Sequence, residues 1–334
     1  MQYIVGVDGG GTKTKAILAD AMGKVVGTGL AGPSNYQTIG LEKACDAILT
    51  AIGDAIESAE KTNKMHRSSL VQGLIVVLGL AGADRPQDEK QFTSKIHTLS
   101  PLTIAHLVVE NDARIALAGA TANQPGVVII AGTGSIALGI DKHGHRARSG
   151  GWGPILGDEG SGYAIGRAAL MTVLREYDGR GEATTLTGKI LTKLDIDNPE
   201  KLVPLVYQGP LQRPEIASLA RLVLEEATNG DQVSQIIIKT AAKELVELIG
   251  AVIDNLGWHD SQALVAGTGG LLQPDNILWR EIVALLSDLY PSVQFIAPRL
   301  SPALGAVLLG GEYLTEGIAL ADFTCNLANS DQLI

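Results

Sequence analysis

Short apolar runs rich in β-branched residues recur along the chain, and three of them lead into a glycine-rich turn. The runs Tyr3–Val7, Val127–Ala131 and Ala263–Ala266 have the length and composition of buried strands. The turns after them are Asp8-Gly9-Gly10-Gly11-Thr12, Gly132-Thr133-Gly134-Ser135 and Gly267-Thr268-Gly269-Gly270. Glycine lets backbone N–H groups close around phosphate oxygens. A single glycine turn after a strand is as often a simple hairpin or bulge as part of a nucleotide site. Three such turns in one chain, each with a threonine, favour a nucleotide site.

Helical periodicity fills the stretches between the strands. It predicts long helices over residues 41–61 and 232–256, and Ser301-Pro302 is typical of the start of another. Two further predicted strands, 74–78 and 105–109, lead into Gly79–Ala83 and into Glu110-Asn111-Asp112. Ligand sites of α/β proteins form at the carboxyl ends of such strands. These small residues and carboxylates are therefore candidates for a site.

A repeated local design predicts two related domains. Residues 4–18 and 127–139 both run strand, glycine turn, strand, and 334 residues are long for a single core. We predict a first domain over 1–119 and a second over 120–300, with the passage near 123–126. The small residues of helix 301–316 permit close packing, which we expect to occur on the first domain. Residues 317–334 carry no clear core pattern and are expected to form a tail.

Two common nucleotide motifs are excluded by the residues themselves. A Walker loop needs lysine directly after its second glycine, but Thr12 follows Gly11 and Lys13 comes one place late. The stretch after this turn is strand-like, whereas a dinucleotide fingerprint opens a helix. The first glycine turn is therefore predicted to join two antiparallel strands.

Composition narrows the class of protein further. A hydrophobic content of 46% with 40 glycines and 4% aromatics fits an α/β enzyme built on aliphatic side chains. The net charge of −10 argues against a nucleic-acid partner. The chain has two cysteines, Cys45 and Cys325, which are too few for a disulfide framework. It has no pair of histidines at the helical spacing typical of a metal site. Without a signal-peptide pattern or a membrane-length apolar run, we expect a cytoplasmic protein that binds no membrane.

Taken together, five motifs resemble the N-acetylglucosamine kinase family, within the sugar kinase, actin and heat-shock ATPase superfamily. They are Asp8-Gly-Gly-Gly-Thr12, Asn111-Asp112, Gly132-Thr-Gly-Ser135, Gly150-Gly-Trp-Gly153 and Gly157-Asp-Glu-Gly160. The likeness covers residues 1 to about 312 and includes the BadF/BadG/BcrA/BcrD-type ATPases. It implies an α/β fold of two ribonuclease-H-like (actin-like ATPase) domains around an interdomain cleft, with ATP and Mg²⁺ as cofactors and a homodimeric assembly.

The resemblance also assigns the nucleotide side of the site. Asp8 corresponds to the residue that orients Mg²⁺. The positions that match the family's ATP contacts are Gly10, Gly11, Thr12, Thr133, Ala217, Gly267, Thr268, Gly269 and Gly270. The first three of these correspond to the phosphate loop of one domain and Thr133 to that of the other. Ala217 and the last four correspond to the adenosine pocket.

On the sugar side, the matching positions are Asn35, Asp112, Ser135, Trp152, Gly153 and Asp158. Asp112 is the predicted general base, since it follows a strand and opens a helix; its alternative role is a helix N-cap. Asn35 could instead stabilise the turn at Pro33-Ser34, and Trp152 could be a packing anchor. Asp158 could cap the helix that follows Ser161.

The activity implied is transfer of phosphate from ATP to the 6-hydroxyl of an amino sugar, with N-acetylglucosamine as the expected substrate. Ile136 stands where the animal enzymes have asparagine, so glucosamine and N-acetylmuramic acid stay open. Two other classes share the fold. An activator ATPase needs paired cysteines for an iron–sulfur cluster, which Cys45 and Cys325 do not supply. An ATP-binding sensor that regulates transcription needs a DNA-binding segment, and no helix-turn-helix pattern or basic patch is found.

Overall fold

The computed structural model describes residues 2–83, 85–258, 263–315 and 318–331. Two compact units divide the chain: unit 1 comprises residues 1–124 and 298–334, and unit 2 comprises residues 125–297. The change from unit 1 to unit 2 follows the end of a helix that runs from Asp112 to Thr121. The boundary predicted at 119 lies inside that helix.

Among the described residues, ten strands are found. They are β1 (Tyr3–Gly9), β2 (Thr14–Asp20), β3 (Val25–Ala31), β4 (Leu74–Leu80), β5 (Ile104–Asn111), β6 (Gly126–Ala131), β7 (Ser135–Ile140), β8 (Arg146–Gly150), β9 (Ala263–Thr268) and β10 (Val293–Ile296).

The α-helices of the same residues are α1 (Tyr36–Ile39), α2 (Leu41–Asn63), α3 (Arg67–Leu70), α4 (Pro86–Leu99), α5 (Asp112–Thr121), α6 (Gly162–Tyr177), α7 (Thr185–Lys193), α8 (Leu202–Tyr207), α9 (Arg213–Ser218), α10 (Ala220–Thr228), α11 (Gln232–Asn255), α12 (Ile277–Leu289), α13 (Pro302–Gly310) and α14 (Leu320–Asp331). Two short 3₁₀ turns lie at Pro199–Lys201 and Gly311–Tyr313.

The described strands of unit 1 form one sheet in the order β3-β2-β1-β4-β5. β1, β2 and β3 are antiparallel, whereas β1, β4 and β5 run parallel. β4 is buried at every position, as expected for a central strand that is covered on both faces. One face carries α2, which approaches β3 so closely that a Cβ at Gly27 or Gly29 would overlap its backbone. The absence of a side chain there sets the distance between helix and sheet.

The other face of this sheet is covered by α13 and α5. A Cβ at Gly6 of β1 would overlap the backbone of α13, and one at Gly305 would overlap the backbone of α5. The two helices therefore touch each other and the central strand at glycine positions. α14 extends the same layer, because its Phe323 and Leu327 are buried among Ile4, Leu304 and their neighbours.

Unit 2 repeats the strand order of unit 1. Its described strands follow the order β10-β9-β6-β7-β8, with β6, β7 and β8 antiparallel and β6, β9 and β10 parallel. Read from the other edge, this is the order of unit 1 strand for strand. The main addition is the run of helices α6 to α11 between β8 and β9, whose apolar faces join the buried cluster of this unit.

The predicted α/β class with two related halves is confirmed, with shifts in element bounds. β1 and β9 each extend two residues further than predicted, so Asp8, Gly9, Gly267 and Thr268 lie in strands rather than in turns. The sequence analysis assigned no element to β8, β10, α4 or α12. Residues 320–331 form α14 where no core pattern had been found, because Phe323 and Leu327 are the only buried side chains among residues 320–330. Residues 316, 317 and 332–334 of the predicted helix 301–316 and tail lie outside the described residues.

Candidate functional site

The carboxyl ends of β1, β4 and β5 bring the acidic candidates of unit 1 to one edge of its sheet. Asp8 pairs in register with Gly79, and Gly79 pairs with Glu110. Asp112 follows β5 directly and opens α5. Position 79, on the strand between these two aspartates, is a glycine because a Cβ there would overlap the side chain of Ile115 on α5. Asp8 and Asp112 thus lie at the same end of the sheet, two strands apart.

The glycine turn of unit 1 joins β1 to β2 and is open to solvent at Gly11, Thr12 and Lys13. The Gly10 N–H donates to the Lys13 carbonyl at 3.0 Å, which closes the turn. Among the described residues, no acceptor is found for the backbone N–H groups of Gly11 and Thr12. Two adjacent backbone donors are therefore available at the end of the central strand.

Neither backbone strain nor packing explains glycine at Gly11. Its φ lies outside the left-handed region, and a Cβ built there would meet nothing within 4 Å. At Gly10, the nearest atom to such a Cβ would be the Lys13 carbonyl oxygen, at 3.5 Å. Gly9 differs, because a Cβ there would overlap the Ser34 hydroxyl and approach Leu80. Space at Gly10 and Gly11 is what a ligand that approaches the backbone needs.

The environment of Asp8 suits a bound cation. Burial raises the pKa of its carboxyl, while the charges of Lys13 and Lys15 act in the opposite direction. In the described part of the chain, no hydrogen-bond donor reaches this carboxylate. A half-buried carboxylate is stabilised in its charged form by a nearby positive charge. Its oxygens are also the ligand type that Mg²⁺ prefers.

Asp112 is the first residue of α5, and the proposed alternative that it is the N-cap is wrong. The cap is Asn111, whose side-chain oxygen accepts from the Ala113 N–H at 2.8 Å. The Asp112 Oδ1 also accepts from that N–H, at 2.9 Å, which holds its carboxylate over the first turn. A carboxylate in this position is favoured by the helix dipole. The side chains of Asn111 and Asp112 therefore share the Ala113 N–H at the start of α5.

Asn35 caps the four-residue helix α1, as its Oδ1 accepts from the Gln37 N–H at 3.1 Å. The loop before it is tied to the β1–β2 hairpin by Thr14, whose hydroxyl donates to the Gly32 carbonyl at 2.7 Å. A Cβ at Gly82, in the loop after β4, would lie 3.3 Å from the Asn35 oxygen. The hydrogen bond described for the Asn35 side chain thus caps α1 rather than the Pro33-Ser34 turn, and it holds the side chain beside the loop after β4.

In unit 2, the turn Gly132-Thr133-Gly134 joins β6 to β7 and is attached to the start of α6. The Gly162 N–H donates to the Gly132 carbonyl at 2.8 Å, and the Tyr163 N–H to the Thr133 carbonyl at 3.3 Å. The backbone N–H groups of Thr133 and Gly134 find no acceptor among the described residues. A Cβ at Gly132 would meet nothing within 4 Å. This turn therefore repeats the free donors and open space seen in unit 1.

Asp158 is buried and forms the centre of a polar cluster behind this turn. Its Oδ1 accepts from the Ser135 N–H at 3.2 Å, and its Oδ2 accepts from Arg213 Nη2 at 2.5 Å. Its backbone has φ of +63°, a conformation that aspartate tolerates better than most residues. The Ser135 hydroxyl donates to the Glu159 carbonyl at 2.6 Å. Asp158 does not cap α6; Ser161 does, by accepting from the Ala164 N–H at 3.2 Å.

Two residues of this cluster were missed by the sequence analysis. Arg213 lies at the start of α9 and pairs with Asp158 across 55 positions of sequence. Glu244 lies on α11, and its Oε2 accepts from the Gly160 N–H at 2.7 Å. Burial raises the pKa of the Glu244 carboxyl, the Gly160 N–H opposes that shift, and the charges of Glu159 and Glu247 add to it. Neither position stands out in the sequence, since one follows an ordinary loop and the other lies mid-helix.

The remaining nucleotide-side candidates of unit 2 lie around the carboxyl end of β6. Thr268 pairs with Ile130, so Gly269 and Gly270 follow β9 beside the 132–134 turn. Gly269 has φ of +104°, and a Cβ there would overlap the Ala131 backbone. Gly267 is required by packing, because a Cβ would lie 2.6 Å from the Phe295 ring. Gly270, like Gly132, has open space.

Ala217 lies in the last turn of α9. A Cβ at Gly162 would lie 2.9 Å from the Gly132 oxygen and 3.5 Å from the Ala217 Cβ. Ala217 is therefore next to the 132–134 turn, and the structure brings the nucleotide-side candidates of unit 2 together.

Trp152 is an exposed side chain in a loop with several left-handed glycines. It is 64% exposed, and Ile155 and Leu156 beside it are 92% and 79% exposed, so the packing-anchor alternative is wrong. The Arg148 guanidinium lies over the indole, 4.6 Å from its centroid. Gly153 has φ of +83°, which L side chains rarely adopt. Ile136 points its side chain toward the adjacent Gly151, where a Cβ would lie 2.8 Å from its Cδ1.

The two cysteines lie on different helices. Cys45 is buried in α2, where burial raises the pKa of its thiol to about 11, and Cys325 is exposed on α14. In the part of the chain that the structure describes, no group of three or more acidic, histidine or cysteine side chains is arranged for a metal ion. The same residues include no helix with the length and apolar character needed to cross a membrane.

Comparison with known proteins gives matches over nearly the whole chain. The family model of the BadF/BadG/BcrA/BcrD ATPase family matches residues 5–310. An N-acetylmuramic acid/N-acetylglucosamine kinase of Clostridium acetobutylicum is 36% identical over 313 residues, covering 92% of this chain and 98% of that protein. An N-acetyl-D-glucosamine kinase of Dictyostelium discoideum is 35% identical over 311 residues, covering 92% and 97%.

Among solved structures, a candidate N-acetylglucosamine kinase of Chromobacterium violaceum matches with a TM-score of 0.72 and 26% identity, covering 93% of this chain and 99% of that one. This likeness and the shared strand order of the two units confirm the predicted fold class of two ribonuclease-H-like (actin-like ATPase) domains.

Proposed function

This chain belongs to the BadF/BadG/BcrA/BcrD ATPase family, and from that premise we propose that it is an ATP-dependent amino-sugar kinase. The reaction proposed is transfer of phosphate to the 6-hydroxyl of N-acetylglucosamine, with glucosamine or N-acetylmuramic acid as alternative acceptors. The relatives named above support an amino-sugar acceptor. The observation that carries the proposal is the edge of the unit 1 sheet, where Asp8, a turn with free N–H donors and Asp112 lie together.

The glycine turns fit a polyphosphate. Gly11 and Gly132 have space for a side chain and no backbone strain, so the fold itself does not require glycine at either position. The free N–H donors of Gly11 and Thr12, and of Thr133 and Gly134, suit anionic oxygens. Gly10 belongs to the first of these turns. Ala217, Gly267, Thr268, Gly269 and Gly270 are the proposed adenosine contacts.

Asp8 is the proposed residue for orienting Mg²⁺. The metal, when bound with ATP, neutralises charge on the phosphate oxygens as the phosphoryl group is transferred. The raised pKa of Asp8 and its lack of a described donor fit a carboxylate that is stabilised by a cation. Most of the remaining catalytic task is positioning, which the two turns supply through backbone donors.

Asp112 is the proposed general base, since a sugar hydroxyl needs a proton acceptor as it attacks. Its Oδ1 accepts from the Ala113 N–H, which orients the carboxylate at the start of α5, where Asn111 is the N-cap. The carboxylate accepts the hydroxyl proton and holds the acceptor oxygen in the direction of attack. Asn35, Ser135, Trp152, Gly153 and Asp158 are the further proposed sugar contacts.

A coupled ADP-release assay tests the proposal. Wild-type protein with Mg-ATP is assayed against N-acetylglucosamine, glucosamine, N-acetylmuramic acid, N-acetylmannosamine and glucose. We expect a strong preference for one amino sugar, with turnover close to zero when no sugar is added. ATP hydrolysis that is independent of sugar would instead favour an activator ATPase, and nucleotide binding without hydrolysis would favour a sensor. The proposed homodimeric state is tested separately by light scattering.

A further inference from the structure

Arg213 connects two parts of unit 2 to which the proposed function gives different tasks. We propose that Arg213 is a positioning residue through which a bound nucleotide raises the affinity for the sugar. The inference rests on the proposed kinase function and adds a role that the sequence motifs do not contain. All the contacts that support this role of Arg213 lie inside unit 2.

The first end of the connection is Asp158, a proposed sugar contact. Its side chain is only 4% exposed, whereas the Arg213 side chain is 41% exposed. One carboxylate oxygen accepts from the Ser135 N–H and the other from Arg213 Nη2. A buried carboxylate that loses its cation is left with an uncompensated charge, so its direction depends on the partner. The guanidinium of Arg213 therefore helps to set where Asp158 points.

The second end is α9, which carries Ala217 on the proposed adenosine side. Close packing holds this helix on α6, since a Cβ at Gly166 would overlap the Ile216 carbonyl oxygen. The N–H groups of Gly162 and Tyr163 on α6 in turn donate to the carbonyls of the 132–134 turn. A ligand held by that turn and by Ala217 thus restrains α9, and Arg213 lies at the first residue of α9.

The guanidinium also lies directly against the turn. A Cβ at Gly134 would be 2.6 Å from Asp158 Oδ1 and 2.9 Å from Arg213 Nη2, so only glycine leaves room for the pair. The Arg213 Nε is buried and has no hydrogen-bond partner among the described residues. Its guanidinium is therefore held chiefly through Nη2 and Asp158. A small shift of α9 or of the turn changes that one contact, which is the behaviour that couples two sites.

The coupling is measured by calorimetry as the sugar affinity with and without a non-hydrolysable ATP analogue and Mg²⁺. The sugar is the one preferred in the ADP-release assay. For wild type we expect the analogue to tighten sugar binding by roughly tenfold, within the usual range for coupled sites. In Arg213→Met the factor should fall to about one, because the charge that links α9 to Asp158 is gone. The affinity for the analogue without sugar should change by less than about threefold.

Two further variants separate this role from a structural one. Arg213→Lys keeps a charge but not the planar fork, so an intermediate coupling factor is expected. Arg221→Met removes an exposed arginine from the neighbouring helix α10 and should leave the factor at the wild-type value. If Arg213→Met does not fold, as judged by its circular dichroism, Arg213→Lys alone must still lower the factor.

Two outcomes would overturn the inference. Coupling of wild-type size in both Arg213 variants would show that the contact transmits nothing, and an equal loss of sugar affinity with and without the analogue, which leaves the factor unchanged, would then show a purely structural or direct effect. Failure of the wild-type protein to bind any amino sugar would overturn the proposed function, and this inference with it. The second result is distinguished from the first because it appears before any variant is made.

Discussion

The two glycine turns have the same place in their sheets but are held in different ways. The turn after β1 in unit 1 is exposed, and its neighbours Asp8 and Asp112 keep carboxylates at the sheet edge. The turn after β6 in unit 2 is hydrogen-bonded to α6. The two carboxylate oxygens of the nearby Asp158 accept hydrogen bonds from the Ser135 N–H and from Arg213. The same topology therefore places two carboxylates at the sheet edge beside the turn in one unit and a turn held by a helix in the other.

The largest expected effect is on the carboxylate of unit 1. Asp112→Asn removes the proposed base but keeps the side-chain shape, so kcat should fall about 10²–10⁴-fold. Affinity for an ATP analogue should change little, because the turn that holds phosphate is untouched. Steady-state kinetics and calorimetry measure the two effects. Glu110→Gln, a carboxylate at the end of the same strand, is the control and should keep most activity; sugar-dependent turnover unchanged in Asp112→Asn would refute the assignment.

The two turns should differ sharply in their tolerance of alanine. Gly134→Ala places a Cβ 2.6 Å from Asp158 Oδ1, so we expect a loss of about 1–3 kcal/mol in unfolding free energy. Gly11→Ala and Gly132→Ala enter open space and should leave that free energy almost unchanged. Both should nevertheless raise KM for ATP about tenfold, as expected when one charge-assisted hydrogen bond is blocked.

Denaturant unfolding and KM together test this contrast. Equal stability losses in Gly11→Ala and Gly134→Ala would show that the two turns are held alike. An unchanged KM for ATP in both Gly11→Ala and Gly132→Ala would remove the phosphate role proposed for these turns.

The exposed indole of unit 2 should affect binding far more than folding. Trp152→Ala removes the ring under Arg148, a stacking contact worth about 0.5–1 kcal/mol at an exposed site. We expect KM for the sugar to rise while kcat changes little, which is the pattern for a lost binding contact. Leu156→Ala, in the same loop and more exposed, is the matched control. A rise in KM of the same size in both variants would indicate a general effect on the loop.

The smallest expected effect concerns the bracing of unit 2 by Glu244. The pKa of this carboxyl is raised on folding, so its contribution to stability is complete below pH 4.5 and is lost as pH rises through the folded-state pKa. Glu244→Gln cannot ionise, so it does not lose stability as the pH rises, and its side-chain oxygen can still accept the hydrogen bond from the Gly160 N–H. The variant should therefore gain in Tm relative to wild type between pH 4.5 and pH 7.5.

Thermal unfolding at the two pH values measures this gain. Glu225→Gln, exposed on the neighbouring helix α10, should show no comparable pH-dependent difference. A lower Tm of Glu244→Gln at pH 7.5 would mean that the carboxylate charge itself is needed to hold the Gly160 loop.

The sequence by itself determined most of the strands, the glycine turns, the repeat of design and the position of Asp112 after β5. These depend on local composition and spacing, which the chain carries residue by residue. It misjudged residues 320–331, because a helix with two buried side chains leaves almost no apolar pattern. It also predicted β1 and β9 to end two residues too early, because glycine and threonine at strand ends are typical of turns.

Only the tertiary structure decided which residues brace the site. Asn111 and not Asp112 is the N-cap of α5, a distinction between adjacent residues that the extended backbone of Asn111 makes, since both side chains accept from the Ala113 N–H. Arg213 and Glu244 reach Asp158 and Gly160 from helices 55 and 84 positions further along the chain. Such partners carry no sequence signature, because a pairing of charge and donor over that separation exists only once the helices pack. The glycines show the same contrast. Gly11 and Gly134 are the same residue in the sequence, but only the structure shows that a Cβ would enter open space at Gly11 and overlap Asp158 at Gly134.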